Sequence, residues 1–320
     1  MPTDTMIETR GLRRVFKTRR GDVEAVAGVD LRIAAGEIFG FLGPNGAGKT
    51  TTLRMLATLL PPSGGDATVA GCDLRSQPQK VRERIGYVGQ QGGTDLQITG
   101  RRELVFQGRL YGLRAADARR RAGELISMLQ LEDCADRPTK SYSGGQRRRL
   151  DIGLGLIHEP PVLFLDEPTT GLDPQARAHL WEEVRRLHER GTTLFLTTHY
   201  MDEADALCDR LAIIDHGRVV AEGTPDELKR QIAGDVVTIG VQGDQVAALQ
   251  LLQSQDFVRE AGSQDGDLRL YVDRGEVAMP AILRLLDGAG LELRTIALTR
   301  PSLDDVFLRQ TGRSLREEAA

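Results

Sequence analysis

Between Ile7 and Ile33 apolar and polar residues alternate in two segments separated by Thr18-Arg19-Arg20-Gly21-Asp22. A period of two on either side of a charged, glycine-containing break predicts an antiparallel hairpin with a solvated basic tip. The pattern then changes. Glu37–Leu42, Val162–Glu167 and Thr193–Thr198 are largely unbroken apolar runs of strand length, as expected of strands covered on both faces in a parallel sheet. Shorter strands are expected at Ala67–Ala70, after the turn cluster Pro61–Gly65, and at Ile85–Gln90, Leu211–Ile214 and Arg218–Val220. Helical spacing carries Thr99 to about Leu131 through Leu104, Leu110, Leu125, Ile126 and Leu129, and returns at Arg147–Ile157, Gln175–Arg190 and Met201–Cys208. Strands alternating with helices predict an α/β fold.

The composition shifts after Thr224–Lys229. Beyond Gly234 the pattern reads strand Val236–Val241, helix Val246–Ser254, a strand near Val258, strand Leu268–Val272, helix Val277–Leu286 and strand Leu291–Leu298. That order is the split βαβ, ferredoxin-like arrangement, and predicts a small accessory α+β domain. Ser302–Leu308 after Pro301 predicts a capped amphipathic helix. The expected division is 1–230, with a helical part at about 91–160, then 231–300, then a helix and frayed tail over 301–320.

A charged fraction of 28% and a hydrophobic fraction of 40% are ordinary for a globular protein, and the net charge of −4 gives no pull toward nucleic acid. No apolar run approaches the roughly 20 residues of a membrane span. Met1–Arg20 lacks the apolar core of a secretory signal, so the chain is expected to stay in the cytoplasm. Cys72, Cys134 and Cys208 have neither disulfide nor metal-ligand spacing and read as buried or incidental thiols.

Candidate chemistry begins at Gly43-Pro44-Asn45-Gly46-Ala47-Gly48-Lys49-Thr50-Thr51, which fits G-x-x-x-x-G-K-[ST] between a predicted strand and a predicted helix. Glycines let the backbone N–H groups converge on an anion, Lys49 adds charge for the β- and γ-phosphates, and the Thr50 hydroxyl suits Mg²⁺. Asp166 and Glu167 end an apolar strand, where open α/β sheets place their chemistry. Asp166 suits the Mg²⁺ side, and Glu167 could polarise an attacking water. His199 follows a second such strand and is assigned a functional role, whereas His158, His179, His188 and His216 are expected to face solvent. Gln90 ends a third run. Ser143-Gly144-Gly145-Gln146 is a capped helix start with exposed N–H groups, by itself no more than a turn. Periodicity alone makes Phe16 a core or edge aromatic.

These motifs occur in one order, and over about Met6–Lys229 the chain resembles the ATP-binding subunit of ABC transporters. The resemblance implies a RecA-like core with an antiparallel β subdomain and a helical subdomain. Gly43–Thr51 would be the phosphate loop, Gln90 the glutamine loop that also reaches the metal, and Ser143–Gln146 the signature. Asp166 and Glu167 would be the magnesium-side Asp and catalytic Glu. Asp173 in Thr170-Gly171-Leu172-Asp173 would belong to the D-loop, His199 would be the switch histidine, and Phe16 would stack on adenine. Thr58-Leu59-Leu60, Tyr142 and Pro301–Leu308 look like the daunorubicin-resistance type of exporter. Tyr142, where many such subunits have Leu, and the continuation Gln91-Gly92-Gly93 depart from the family pattern.

The resemblance further implies ATP and Mg²⁺ as cofactors and a head-to-tail dimer, in which the signature of one copy caps ATP held by the other. It implies a separate integral membrane permease as partner and a peripheral location at the cytoplasmic face of the membrane. A cassette acting on ribosomes or DNA is the alternative, although the second cassette or coiled-coil insertion typical of those proteins does not occur in this sequence.

Overall fold

The computed structural model describes residues 5–19, 21–232, 234–264, 266–299 and 301–312. Arg20 of the expected basic tip and the expected frayed residues 314–320 lie outside them. The described chain forms two compact units, one through Pro225 and one from Asp226.

The first unit opens with the predicted hairpin, β1 (Thr5–Thr18) against β2 (Gly21–Ala34), antiparallel with Phe16 opposite Val23. Its alternation buries Ile7, Leu12, Val26, Val29, Leu31 and Ile33 on one face. β3 (Ile38–Leu42) leads through the phosphate loop into α1 (Lys49–Leu56). β4 (Gly64–Val69) and the two-residue β5 (Cys72–Asp73) complete an antiparallel sheet ordered β2-β1-β4-β5. α2 (Pro78–Glu83), too short to show a period, precedes β6 (Ile85–Val88).

The single helical pattern over Thr99–Leu131 is two helices, α3 (Gly100–Leu110) and α4 (Ala115–Met128). The break comes at Gly112, whose φ of 84° no helix accepts. α5 (Gly144–Leu156), β7 (Val162–Asp166), α6 (Pro174–Glu189), β8 (Thr193–Thr198), α7 (Met201–Leu207), β9 (Arg210–Asp215) and β10 (Arg218–Gly223) follow.

A six-stranded sheet is ordered β10-β9-β3-β8-β7-β6, parallel except for the edge strand β10. Every residue of β3, β7 and β8 is buried, as their unbroken apolar runs required. Phe39, Phe41 and Phe164 sit with ring centroids 5.8, 5.6 and 5.7 Å from that of Phe195, tilted rather than stacked face to face. Parallel register has a direct consequence for the site. Leu42 pairs with Thr198, Asp166 with Thr197 and Val88 with Leu165, so the ends of β3, β8, β7 and β6 reach one edge together.

The second unit holds α8 (Pro225–Gln231), β11 (Asp235–Gln242), α9 (Gln245–Gln253), β12 (Val258–Gln264), β13 (Asp267–Val272), α10 (Gly275–Gly288), β14 (Glu292–Thr299) and α11 (Leu303–Thr311). Its sheet is antiparallel throughout, ordered β12-β13-β11-β14, which is the predicted split βαβ arrangement. The division falls at 225/226, so α8 joins the second unit, although the composition shift put the boundary near 230.

Candidate functional site

The phosphate loop is held open by backbone conformation. Gly46 has φ 82°, and Gly48 has φ 106° with the position of a Cβ only 2.4 Å from the Ala25 carbonyl, so any side chain there would collide with β2. Gly43 N–H donates to the Thr198 carbonyl (3.3 Å) and Gly217 N–H to the Ala47 carbonyl (2.9 Å), fixing both ends of the loop to the sheet. Gly48 caps α1 without a side-chain hydrogen bond, leaving the first N–H groups of that helix available to an anion. Lys49, 4% exposed, donates to the Gly43 (2.8 Å) and Pro44 (3.0 Å) carbonyls, and its Nζ lies 3.4 Å from Glu167 Oε1. Asn45, Gly46, Gly48, Lys49, Thr50 and Thr51 line a cavity of about 510 Å³ with Gln90, Glu167, Thr170 and His199.

Asp166 is fully buried. Its Oδ1 accepts from the hydroxyls of Thr50 (2.9 Å) and Thr197 (2.8 Å), and its Oδ2 is buried with no hydrogen-bond partner. Buried carboxylate oxygens are normally satisfied, so this vacant acceptor beside a hydroxyl fits a hard cation that takes few protein oxygens and completes its shell from phosphate and water. Glu167 follows in a left-handed backbone conformation, φ 44°, with its N–H donating to both the Thr197 carbonyl (3.1 Å) and hydroxyl (3.0 Å). For a non-glycine residue that conformation costs about 1–2 kcal/mol, and such strain marks over-determined functional positions.

The Glu167 carboxylate is surrounded by donors. Oε2 accepts from Gln90 Nε2 (3.1 Å) and the Thr170 hydroxyl (3.2 Å), and Oε1 lies 3.4 Å from His199 Nδ1. The His199 contact and the nearby Lys49 charge outweigh burial and hold the carboxyl at about 2, so it is ionised. Burial lowers the proton affinity of Lys49, with Glu167 opposing the shift.

Ser143, Gly145, Gln146 and Asp173 line a different cleft, of about 190 Å³, which shares no lining residue with the first. Ser143 and Gln146 form a reciprocal capping box at the start of α5, ahead of Gly144, and Asp173 caps α6 by accepting from Ala176 N–H. The structure therefore assembles Lys49, Thr50, Gln90, Asp166, Glu167 and His199, and sets the Ser143–Gln146 helix start apart from them. Phe16 is half-buried on β1 under the Arg14 guanidinium, 4.7 Å away. Its pairing partner Val23 stands two residues before Ala25, which abuts the loop.

Several residues escaped the sequence reading. Thr197 ties Asp166 to the Glu167 backbone, and its one visible sign was a polar residue closing an apolar strand. Arg148 and Asp151, inside α5, are buried and bond the loops around Gln90 and Glu167. His158 does not face solvent as expected. Its Nε2 is 3.0 Å from the Ile85 carbonyl, its ring stacks on Tyr111 at 3.7 Å, and burial lowers its pKa. The departure at Tyr142 has a structural role, because its buried hydroxyl donates to the Cys134 carbonyl (2.8 Å).

A largely parallel sheet with phosphate loop and strand-end carboxylates on one edge, and a capped helix start kept in a separate cleft, is the construction of an ATP-binding cassette. Comparison with known proteins agrees. A family model described as ABC transporter matches residues 26–170, and one described as ATP-binding protein DrrA1-3-like, C-terminal domain, matches residues 223–311. The daunorubicin/doxorubicin resistance ATP-binding protein DrrA of Streptomyces peucetius is 48% identical over 309 residues, 96% of this chain and 92% of that protein. A Nod factor export ATP-binding protein I of Ralstonia nicotianae is 41% identical over 314 residues, 98% of this chain and 95% of that one. The dimeric ATP-binding cassette MJ0796, solved with ADP and Pi, matches at TM-score 0.63 and 26% identity, covering 68% of this chain and 98% of its own. The chain belongs to the ABC transporter ATP-binding proteins, in the DrrA-like group.

Proposed function

We propose that this protein binds and hydrolyses ATP to energise export of a drug-like or lipophilic compound through a separate membrane permease. The observation that carries hydrolysis is Glu167, ionised at the mouth of the phosphate loop and contacted by Gln90, Thr170, Lys49 and His199. Lys49 and the N–H groups of α1 receive the β- and γ-phosphates. Thr50 and Asp166 would hold Mg²⁺, with Gln90 the third residue at that site, and when bound it would supply positive charge against that developing on the phosphates. Glu167 orients water for in-line attack on the γ-phosphorus. The new P–O bond replaces that to the β-phosphate, ADP and phosphate leave, and a proton passes to phosphate or solvent. His199 contacts the γ-phosphate. Phe16 stacks on the adenine.

The separate clefts support a homodimer in which Ser143–Gln146 of one copy closes over ATP held by the other. A cleft of about 560 Å³, lined by Gly89, Gly93, Phe106 and Tyr111 among others, supports docking of the permease beside the glutamine loop, since Phe106 is 58% exposed. Among the described residues no helix is long and apolar enough to cross a membrane, in keeping with a peripheral subunit on the cytoplasmic face. The names of the relatives, drug resistance and Nod factor export, support export of a drug-like or lipophilic compound. The test is ATPase activity and dye or anthracycline efflux in cells carrying the chain with its permease. Lys49→Ala is expected to remove both by at least about a hundredfold, and unchanged turnover from that variant would sink the assignment. Recovery with ribosomes or DNA instead of a membrane protein would favour the other class of cassette.

A further inference from the structure

We propose that Arg148 is a positioning residue that locks the Glu167 backbone and the glutamine loop to the signature helix. This rests on the hydrolysis reading above. Arg148 lies on α5, 7% exposed, and its guanidinium donates to three backbone carbonyls. Nη2 reaches the Asp166 carbonyl (3.0 Å) and Nε the Pro168 carbonyl (2.8 Å), so one rigid fork holds the peptide unit that joins Asp166 to Glu167 and the one that follows Pro168. Nη1 reaches the Gly89 carbonyl (2.6 Å), the peptide unit joined to Gln90.

Those are the two residues whose side chains meet at 3.1 Å in the site. Glu167 needs such support, because its left-handed φ of 44° is unfavourable for a residue with a Cβ and persists only when neighbouring bonds over-determine it. Asp151, three residues on, grips the far side of the same loop, accepting from Gly93 N–H (3.3 Å) and the Thr94 hydroxyl (2.6 Å). The loop around Gln90 is thus held by two residues one turn apart on the helix that begins at Ser143, which under the dimer reading serves the partner's nucleotide. A shift of α5 as Ser143 engages that nucleotide moves Gln90 and Glu167 of its own site with it.

A planar guanidinium spans three carbonyls, and an ammonium of similar reach cannot. Arg148→Lys preserves charge and most of the packing, and Arg148→Ala removes the fork entirely. Two measurements on the full chain decide the matter: backbone amide exchange over residues 89–95 and 166–170, and ATPase kinetics alongside binding of a fluorescent ATP analogue. Arg148→Lys is expected to quicken exchange in both segments about fivefold or more. It is also expected to leave analogue affinity within about twofold and to lower kcat about tenfold, since the phosphate loop is untouched and only the water-orienting groups move. Asp151→Ala should quicken the first segment alone. Unchanged exchange in both Arg148 variants, or a kcat within about twofold of wild type, overturns the proposal, as does a loss of analogue binding that parallels the loss of kcat. Should the wild type fail to hydrolyse ATP, the function proposed above fails, while amide exchange still decides whether Arg148 positions the loop.

Discussion

At the scale of single residues, the charged groups of the site contact one another. Lys49 rests on two loop carbonyls and beside Glu167, and Glu167 is contacted by His199 and Gln90. A carboxyl held near 2 is a weak base, ill suited to take a proton from water. Phosphates drawing Lys49 away would raise that basicity when it is needed. The linkage has a sign. A carboxyl whose folded pKa is depressed adds stability that is present above its unfolded value of about 4.3 and is lost as pH falls toward about 2. Wild type should therefore lose stability relative to Glu167→Gln between about pH 4 and pH 2, and not between pH 7 and 5. Urea midpoints measured across that range check it, and parallel curves would show that Glu167 is not paired in the folded protein. Lys49, Thr50, Asp166 and Glu167 were legible because a strand, a tight loop and a helix start encode them locally. Arg148 was not, because its partners at 89, 166 and 168 are brought together only by the folded sheet.

Among elements, legibility followed how strictly burial constrains composition. β3, β7 and β8 are buried at every position and announced themselves as apolar runs, and the hairpin did so by alternation. β5 and α2 were missed because two and six residues carry no period, and α3 and α4 merged because their spacings continue across Gly112. α11 shows what a short helix needs in order to hold. Its cap Ser302 and N3 residue Asp305 bond reciprocally, and Asp305, fully buried, also accepts from the Tyr271 hydroxyl (2.8 Å) and pairs with Arg269 (2.7 Å). Burial and the Asp305 carboxylate together raise the Tyr271 pKa. Asp305→Ala takes a buried carboxylate from Tyr271 and Arg269 and removes the helix start, and is expected to destabilise the second unit by about 3 kcal/mol. Urea denaturation followed by circular dichroism measures this, and a loss below about 1 kcal/mol would mean that the network is dispensable.

On the scale of the whole molecule, the phosphate loop and the Ser143 helix start occupy clefts with no lining residue in common. Under the dimer proposed above, that separation carries a genetic consequence. A chain with Lys49→Ala and a chain with Ser143→Arg should each be inactive alone. In a mixed dimer both lesions fall in one composite site and the other site is intact. Random assortment of equal amounts makes about half of the dimers mixed, so about a quarter of all sites are whole. Two silent alleles expressed together should thus restore measurable turnover, whereas a chain that completed its own site would give none.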